Sequence, residues 1–166
     1  MSENKKYELL KDDTITTSSG RKLYRIKALV AIGLLVAQGE LGGYVENEKN
    51  LSVSGDAWVF GNARVFGNAR VFGNARVFGD AWVFGDARVY GNARVKTRQD
   101  IQWFSGVGKE SDTLTVYKTV TGLSVSQCSL DRTLEEFRRY VKKHGDSKYG
   151  RHYAALINAI EIWFEV

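Results

Sequence analysis

Seven consecutive six-residue units make up the middle of this chain. Each has the form Val-x-Gly-(Asn/Asp)-Ala-(Arg/Trp), and three neighbouring units, at 59–64, 65–70 and 71–76, share the identical sequence V-F-G-N-A-R. The units begin at Val53, Val59, Val65, Val71, Val77, Val83 and Val89. Self-similarity at a short fixed period predicts a solenoid. A solenoid has no cleft of its own, so we expect any site on an exposed ladder, at a subunit contact or in the flanking segments.

Each unit has the pattern of a short strand followed by a corner. In Ala63-Arg64-Val65, alternation places Ala63 and Val65 on one face and Arg64 on the other. Gly61 and Asn62 interrupt the strand, because both residue types tolerate the left-handed backbone that a sharp corner needs. The repeat therefore predicts a narrow interior of Val and Ala.

The repeat resembles the hexapeptide-repeat family, whose members form a left-handed parallel β-helix of triangular cross-section. Three units make one coil in that family, so the resemblance implies that residues 18 apart stack. The fold class predicted on this basis is mainly β, a left-handed parallel β-helix with an N-terminal β cap and a C-terminal α+β module. The implied outward columns are Trp58–Arg76–Arg94, Arg64–Trp82, Arg70–Arg88, Phe60–Phe78, Phe66–Phe84 and Phe72–Tyr90.

The predicted outward positions carry a large aromatic surface. Five Phe, one Tyr and two Trp expose more apolar area than a solvated monomer normally does, so the flanks or a second subunit should cover part of it. We therefore expect a homo-oligomer, either a dimer or a trimer. The candidate interaction and oligomer surface consists of Trp58, Phe60, Phe66, Phe72, Arg76, Phe78, Trp82, Phe84, Tyr90 and Arg94.

The composition favours a cytoplasmic protein with no membrane partner. One cysteine allows no intrachain disulfide, and the strand-like sequence V125-S126-Q127-C128 predicts that Cys128 is a buried thiol. The charged N-terminal segment lacks the apolar core of a signal peptide, and the apolar stretch 29–37 is too short to cross a bilayer. The net charge of +5 permits attraction to anionic partners.

The chain divides into three predicted segments. They are an N-terminal cap, a hexapeptide-repeat β-helix and a C-terminal module of β-strands plus two helices, at residues 1–38, 39–100 and 101–166. Thr133 and Glu136 fit a capping box at the start of the first helix. His144 and Gly145 fit its end, and Asp146 or Ser147 can cap the second helix.

A second resemblance involves the flanks of the repeat. The sequence G39-E-L-G-G-Y-V-E-N-E-K-N-L-S, together with T133-L-E-E-F and H144-G-D-S-K-Y-G-R-H-Y, is similar to small proteins encoded in bacteriophages and prophages. With the repeat included, the similarity spans most of the chain. Most of those proteins have no assigned function, so the resemblance implies a context, a phage-infected bacterium, rather than an activity.

The sequence argues against an enzyme. Acyltransferases of the hexapeptide-repeat family use a histidine near the coils and often a protruding loop, but segment 53–95 has neither. The two histidines, His144 and His152, both lie in the predicted helical region, and a zinc site of the carbonic anhydrase type needs three. We predict no catalytic residue, no cofactor and no metal, and an acyltransferase remains the second alternative function.

A nucleic-acid-binding accessory protein is the first alternative. Arginines follow the repeat, and basic rows with aromatic neighbours can contact phosphates and stack on bases. Glu135 and Glu136 on the first helix, and aspartates at the corners, reduce this basic character. The candidate basic patch on that helix consists of Arg138, Arg139, Lys142 and Lys143.

The leading hypothesis is a non-catalytic, oligomeric interaction protein. Trp, Tyr and Arg, the residue types enriched at binding hot spots, recur along the repeat. The resemblance to phage-encoded proteins adds a setting in which small proteins bind and block bacterial defence machines or regulators. We therefore expect a phage-encoded protein that binds and inhibits a host protein complex in the bacterial cytoplasm, with an anti-defence, anti-CRISPR-like role.

Overall fold

The computed structural model describes residues 3–128 and 130–166, and the elements below are those of the described residues. The first three strands are β1 (Tyr7–Thr16), β2 (Lys22–Ala28) and β3 (Leu41–Val45). The repeat contributes β4 (Trp58–Val59), β5 (Arg64–Val65), β6 (Arg70–Val71), β7 (Arg76–Val77), β8 (Trp82–Val83), β9 (Arg88–Val89) and β10 (Arg94–Val95). The C-terminal part contains β11 (Ile101–Val107), β12 (Asp112–Thr119), β13 (Gly122–Gln127), β14 (Leu130–Thr133), α1 (Leu134–His144) and α2 (Lys148–Phe164).

Each unit of the repeat places two residues in a strand and then turns at its glycine. Gly73 has a φ of +68°, and a Cβ at this position would lie 3.0 Å from the backbone nitrogen of Gly91. Only glycine fits such a corner without strain. The Ala and Val residues of the repeat from Ala57 to Val95 are buried, and they form most of the larger core. The narrow Val/Ala interior that the repeat pattern predicts is therefore present from Ala57 onward, whereas Val53, which begins the first unit, is 52% exposed.

Strands that lie 18 residues apart pair in parallel. Arg70 lies opposite Arg88 in the β6–β9 pair. The other outward partners are Arg64–Trp82 and Trp58–Arg76–Arg94. The spacing that the resemblance implied is thus the spacing of the strand partners.

The predicted fold class, a left-handed parallel β-helix, is nevertheless wrong. The strands are divided among four small open sheets and do not form one solenoid sheet. The largest, in the order β1-β2-β3-β5-β8, is mixed, because its first three strands pair antiparallel and its last two continue in parallel. The others are β10-β7-β4, β6-β9 and the antiparallel sheet β11-β12-β13-β14. The physical reason is that each unit holds only two extended residues, so every ladder is narrow and a glycine corner separates it from the next.

A short 3-10 turn, Glu48–Asn50, precedes the repeat. The buried side-chain amide of Asn50 donates hydrogen bonds to the carbonyl oxygens of Gly67 and Ala69, at 3.1 and 2.9 Å. Asn50 also accepts from the backbone N–H of Asn47 and closes a capping box. The turn is therefore joined to the repeat by side-chain hydrogen bonds.

A matching 3-10 turn, Arg98–Asp100, follows the repeat. The carboxylate of Asp100 accepts from the backbone N–H groups of Thr97 and Lys96 and forms a 2.8 Å ion pair with Lys118 of β12. Burial alone would raise the pKa of Asp100, but the Lys118 and backbone hydrogen bonds outweigh it and hold that pKa below its ordinary value. This carboxylate therefore joins the end of the repeat to the C-terminal sheet.

The C-terminal part has its own core. Helices α1 and α2 pack beside the β11–β14 sheet, and the core includes Leu114, Phe137 and Ile160. Both helices begin where the sequence predicts, with Thr133 and Glu136 in a capping box and Ser147 as the cap of α2. Among the described residues, neither helix is long and apolar enough to span a membrane.

The prediction for Cys128 is wrong. This residue lies just after β13 in a turn with a φ of +54°, and its side chain is exposed. The strand ends at Gln127, so the alternation that suggested burial stops one residue early.

Candidate functional site

Trp58, at the start of the first outward column, is covered by the chain itself. Its side chain is fully buried, and its ring meets the ring of Tyr7 edge-on at a centroid distance of 6.1 Å. Tyr7 lies on β1, in the predicted N-terminal cap, so the flank covers this part of the aromatic surface. Trp58 is therefore not accessible to a partner in this conformation.

The same column continues with two stacked arginines. Arg76 and Arg94 are partners in β7 and β10, and both side chains are partly exposed. Partial burial lowers the pKa of Arg94, and the neighbouring charge of Arg76 lowers it further. Arg94 Nη1 donates to the carbonyl oxygens of Ala93 and Asn74, at 2.7 and 3.3 Å. This part of the column presents two adjacent positive charges.

The second column is held by cation–π contacts. The guanidinium carbons of Arg64 and Arg98 lie 4.9 and 3.5 Å from the ring centroid of Trp82. Phe66 meets the same indole edge-on, at a centroid distance of 6.3 Å. Trp82 is thus already in contact with three side chains of its own chain, which limits its availability to a partner.

The phenylalanines of the candidate surface differ in their neighbours. Phe66 and Phe84 stack with a centroid distance of 5.0 Å and an interplanar angle of 2°, and Trp103 of β11 meets Phe84 edge-on at 4.7 Å. Phe60 and Phe78 are half-buried, and no such ring pair joins them in the part of the chain that the structure describes. Phe60 instead packs against the main core.

The third column is the most open of the three. Arg70 and Arg88 are both exposed, and neither forms an ion pair within the described residues. Arg88 Nη1 donates only a long hydrogen bond, 3.3 Å, to the carbonyl oxygen of Cys128. The exposed Lys49 lines the same grooves as these two arginines.

A stacked aromatic pair lies beside these cations. The rings of Phe72 and Tyr90 have a centroid distance of 5.0 Å and an interplanar angle of 9°, and both residues are partly exposed. Phe72 also lines a shallow groove of about 510 Å³ together with Arg70, Arg88 and Lys49. We call the surface formed by Lys49, Arg70, Phe72, Arg88 and Tyr90 the open face.

The open face has an electrostatic arrangement that favours an acidic ligand. In a parallel ladder the backbones of partners such as Arg70 and Arg88 lie about 4.8 Å apart, and like charges on directly opposite residues are destabilising. An anionic group placed between them would relieve the repulsion and accept hydrogen bonds from both guanidiniums. Glu48 lines one of these grooves and Asp86 the other, and Asp86 and Asp112 line a further groove with Arg88, so carboxylates lie among the cations of this surface.

The basic patch on α1 is partly neutralised. Arg138 pairs with Glu161 of α2 at 2.8 Å and with Glu135 at 3.3 Å, and these contacts raise its pKa. Arg139, Lys142 and Lys143 are exposed and form no ion pair within residues 3–128 and 130–166. Three of the four predicted residues therefore remain as free surface charge.

The two histidines lie away from the repeat. His144 is at the end of α1, where its Nδ1 lies 2.9 Å from the carbonyl oxygen of Tyr140 and its ring packs on that residue. His152 lies in α2, exposed, with its ring against Tyr149. In the described part of the chain there is no group of three or more His, Cys, Asp or Glu residues that could hold a metal ion.

Sequence reasoning missed the residues that complete or cover this surface. Lys49 precedes the repeat and carries no repeat signature, so its position beside Arg70 depends on the 3-10 turn. Tyr7, Arg98 and Trp103 come from the flanks, and their contacts depend on tertiary packing. The aromatic content of the flanks was the available signal that they would cover the repeat.

Comparison with known proteins supports a β-solenoid repeat. Residues 69–85 match a family described as YdcK Beta solenoid repeat. The match covers the two complete units at 71–76 and 77–82 and parts of the units on either side, and it includes Arg70, Phe72 and Trp82. No curated protein matches the chain.

Proposed function

We propose that this chain is a non-catalytic interaction protein whose open face binds an acidic surface of a partner protein. The observation that carries the proposal is the Arg70–Arg88 ladder, exposed and without an ion pair in the described residues, beside the Phe72–Tyr90 stack. Arginine and aromatic side chains on a rigid scaffold are typical hot-spot residues. Trp58 and Phe66 are buried, and Phe84 is 37% exposed but lies against Trp103, so the open face is a place where exposed arginines without ion pairs lie beside a partly exposed aromatic stack.

We further propose a setting for this interaction. The flanking sequences resemble proteins of bacteriophages and prophages, and the six-residue units support kinship with hexapeptide-repeat proteins. In that setting the chain acts as an oligomer in the cytoplasm of a bacterial host. It binds and inhibits a host complex there, in an anti-defence, anti-CRISPR-like role.

The first experiment measures inhibition of host defence. The chain is expressed in bacteria that carry one active defence system at a time, and the efficiency of phage plating is compared with that of cells without the chain. We expect restored plating in one background and loss of that effect in the Arg70→Glu/Arg88→Glu variant, because charge reversal repels an acidic partner. The matched control is Arg139→Glu, which reverses an exposed arginine on α1.

The second experiment measures the complex directly. The purified chain and the purified target of that defence system are mixed, and a stoichiometric complex is expected by size-exclusion chromatography. Loss of the complex with Arg70→Glu/Arg88→Glu, but not with Arg139→Glu, supports the proposal. A complex of unchanged affinity in the double variant would contradict the assignment of the open face.

Nucleic-acid binding is a second candidate because of the exposed cations of α1. Arg139, Lys142 and Lys143 lie on one helix without ion pairs in the described chain. If this patch contacts phosphates, affinity for duplex DNA falls steeply between about 0.05 and 0.2 M salt, and Arg139→Glu/Lys142→Glu reduces the steepness. Absent or salt-independent DNA binding removes this candidate.

A further inference from the structure

Helix α2 exposes an apolar stripe on the side away from the C-terminal core. At 3.6 residues per turn, Ala155, Ala159 and Ile162 project to the same side, opposite the buried Ile160 and Phe164. The side chain of Ile162 is 80% exposed, and that of the flanking Trp163 is 49% exposed. Because Ile162 and Trp163 are neighbours on a helix that buries only Gly150, Ile160 and Phe164, they form a local apolar patch that a partner surface can cover.

Opposite charges lie at the two ends of this stripe. Arg151 is exposed in the first turns of α2, and Glu165 is exposed just after its last turn. Neither residue forms an ion pair among residues 3–128 and 130–166. The stripe between them bears no charged residue, because Glu161 lies toward α1 and pairs with Arg138.

We infer that the stripe binds a second copy of this chain, with the two α2 helices antiparallel about a two-fold axis. The pattern is self-complementary in this arrangement. The small Ala155 lies opposite the partner subunit's Ile162, and Arg151 lies opposite the partner subunit's Glu165. Two-fold symmetry repeats each contact, which gives two apolar pairs and two ion pairs.

The geometry of the pairs agrees on one crossing point. The midpoint of the two residue numbers in each proposed pair falls within half a residue of position 158. The pairs are Arg151 with Glu165, Ala155 with Ile162, and His152 with Trp163. In an antiparallel pair, a single crossing point is the condition for all contacts to form together. Asn158 then lies beside its own copy, where two amides can hydrogen-bond to each other.

This inference rests on the oligomeric part of the proposed function and names the contact that forms the oligomer. A single helix pair buries less surface than a stable dimer does, so we expect a dissociation constant of about 1–100 μM. The open face shares no residue with this contact, so dimer formation and partner binding can be altered and measured separately.

The test is sedimentation velocity of the full chain at concentrations from about 1 to about 200 μM. We expect a monomer–dimer equilibrium for the unaltered chain and for Leu34→Glu, which changes another highly exposed apolar residue far from α2 in sequence. Ile162→Glu is expected to be monomeric at every concentration. Its circular dichroism should match that of the unaltered chain, because Ile162 does not contribute to the core.

Charge exchange supplies a second test that does not depend on loss of apolar surface. Arg151→Glu alone and Glu165→Arg alone should each weaken the dimer about tenfold, and the two changes combined should restore it. A monomer at every concentration, a dimer unaffected by Ile162→Glu, or a double variant without recovery would overturn the inference. Retained partner binding by Ile162→Glu would leave the proposed binding role of the open face standing in each of these cases, whereas a monomer at every concentration would also remove the oligomeric part of the proposed function.

Discussion

Lys6 Nζ donates a 2.8 Å hydrogen bond to the carbonyl oxygen of Ala57, at the beginning of the repeat. The carbonyl oxygen of Ser52 accepts a second hydrogen bond from the same nitrogen, at 2.9 Å. Burial lowers the pKa of Lys6 to about 8, and the negative charge of Asp56 opposes only part of this change. A neutral amine retains two N–H groups, so both hydrogen bonds survive deprotonation.

The pKa of Lys6 predicts that stability rises with alkaline pH. Between the folded value of about 8 and the ordinary value of 10.5, the unfolded chain binds more protons than the folded chain, so the free energy of unfolding increases with pH. The increase should be about 2–3 kcal/mol. Above about pH 10 stability should fall again, because burial raises the pKa values of Tyr7 and Tyr117 and their ionisation then favours the unfolded chain. Urea unfolding at a series of pH values measures both the rise and the later fall of the free energy of unfolding.

The variant that tests this prediction is Lys6→Met, and its control is Lys5→Met. Lys6→Met should remove the rise, whereas Lys5→Met, at an exposed neighbouring position, should keep it. A flat profile for the unaltered chain from about pH 8 to 9.5 would mean that the Lys6 ammonium is well solvated in the folded state.

Trp58 and Trp82 should differ strongly in their contribution to stability, although both occupy the same position in their units. Trp58→Ala removes a fully buried indole and should cost about 3–5 kcal/mol, whereas Trp82→Ala, at a half-exposed site, should cost about 1–2 kcal/mol. Trp58→Phe should be tolerated better than Trp58→Ala because Phe leaves a smaller cavity, and neither change costs a hydrogen bond because the indole N–H of Trp58 has no partner. Chemical denaturation of the three variants checks the order, and equal losses at Trp58 and Trp82 would contradict it.

Substituting two corner glycines with alanine distinguishes the cost of backbone strain from the cost of a steric clash. Gly61 and Gly73 both have positive φ, so Ala at either position should cost about 1 kcal/mol. A Cβ at Gly61 meets nothing within 4 Å, whereas one at Gly73 approaches the backbone nitrogen of Gly91. Gly73→Ala should therefore be the more destabilising by at least about 1 kcal/mol. Thermal unfolding of the two variants tests this, and equal melting temperatures would count against the close approach.

Arg70 should reduce stability while supporting binding. Arg70→Gln removes a like-charge partner of Arg88, so the free energy of unfolding should increase by about 0.2–1 kcal/mol in dilute buffer. The gain should diminish in about 0.5 M salt, where surface charges are screened. Arg139→Gln on α1 serves as the control and should change stability less. A loss of stability in Arg70→Gln would indicate that Arg70 has a favourable contact in solution.

The repeat could be interpreted from sequence because its signal is local and repeated. Alternation and glycine spacing predicted the buried Val and Ala residues, and the 18-residue partners followed from the family resemblance. The same pattern could not predict the sheet organisation. Whether β5 continues a sheet begun by β2 and β3 depends on how the N-terminal strands turn, which the repeat does not encode.

The candidate surface was predicted less well, for a related reason. An outward position in a repeat becomes accessible or buried according to what the flanks place over it. Tyr7 covers Trp58, while nothing comparable covers Arg70 in the described part of the chain, although both residues follow an alanine in equivalent units. Equivalent sequence positions therefore differ in exposure through long-range contacts alone.

Partner strands of the repeat are separated by 18 residues along the sequence, and this separation also limits how the gene for such a chain can change in length. Loss or duplication of a single unit would shift each later arginine and tryptophan onto a different sheet, beside new neighbours. A change of three units at once leaves every partner in place. The identical copies at 59–64, 65–70 and 71–76 give recombination a ready substrate. Length polymorphism in steps of eighteen codons is thus the kind of evolutionary drift that this architecture accommodates.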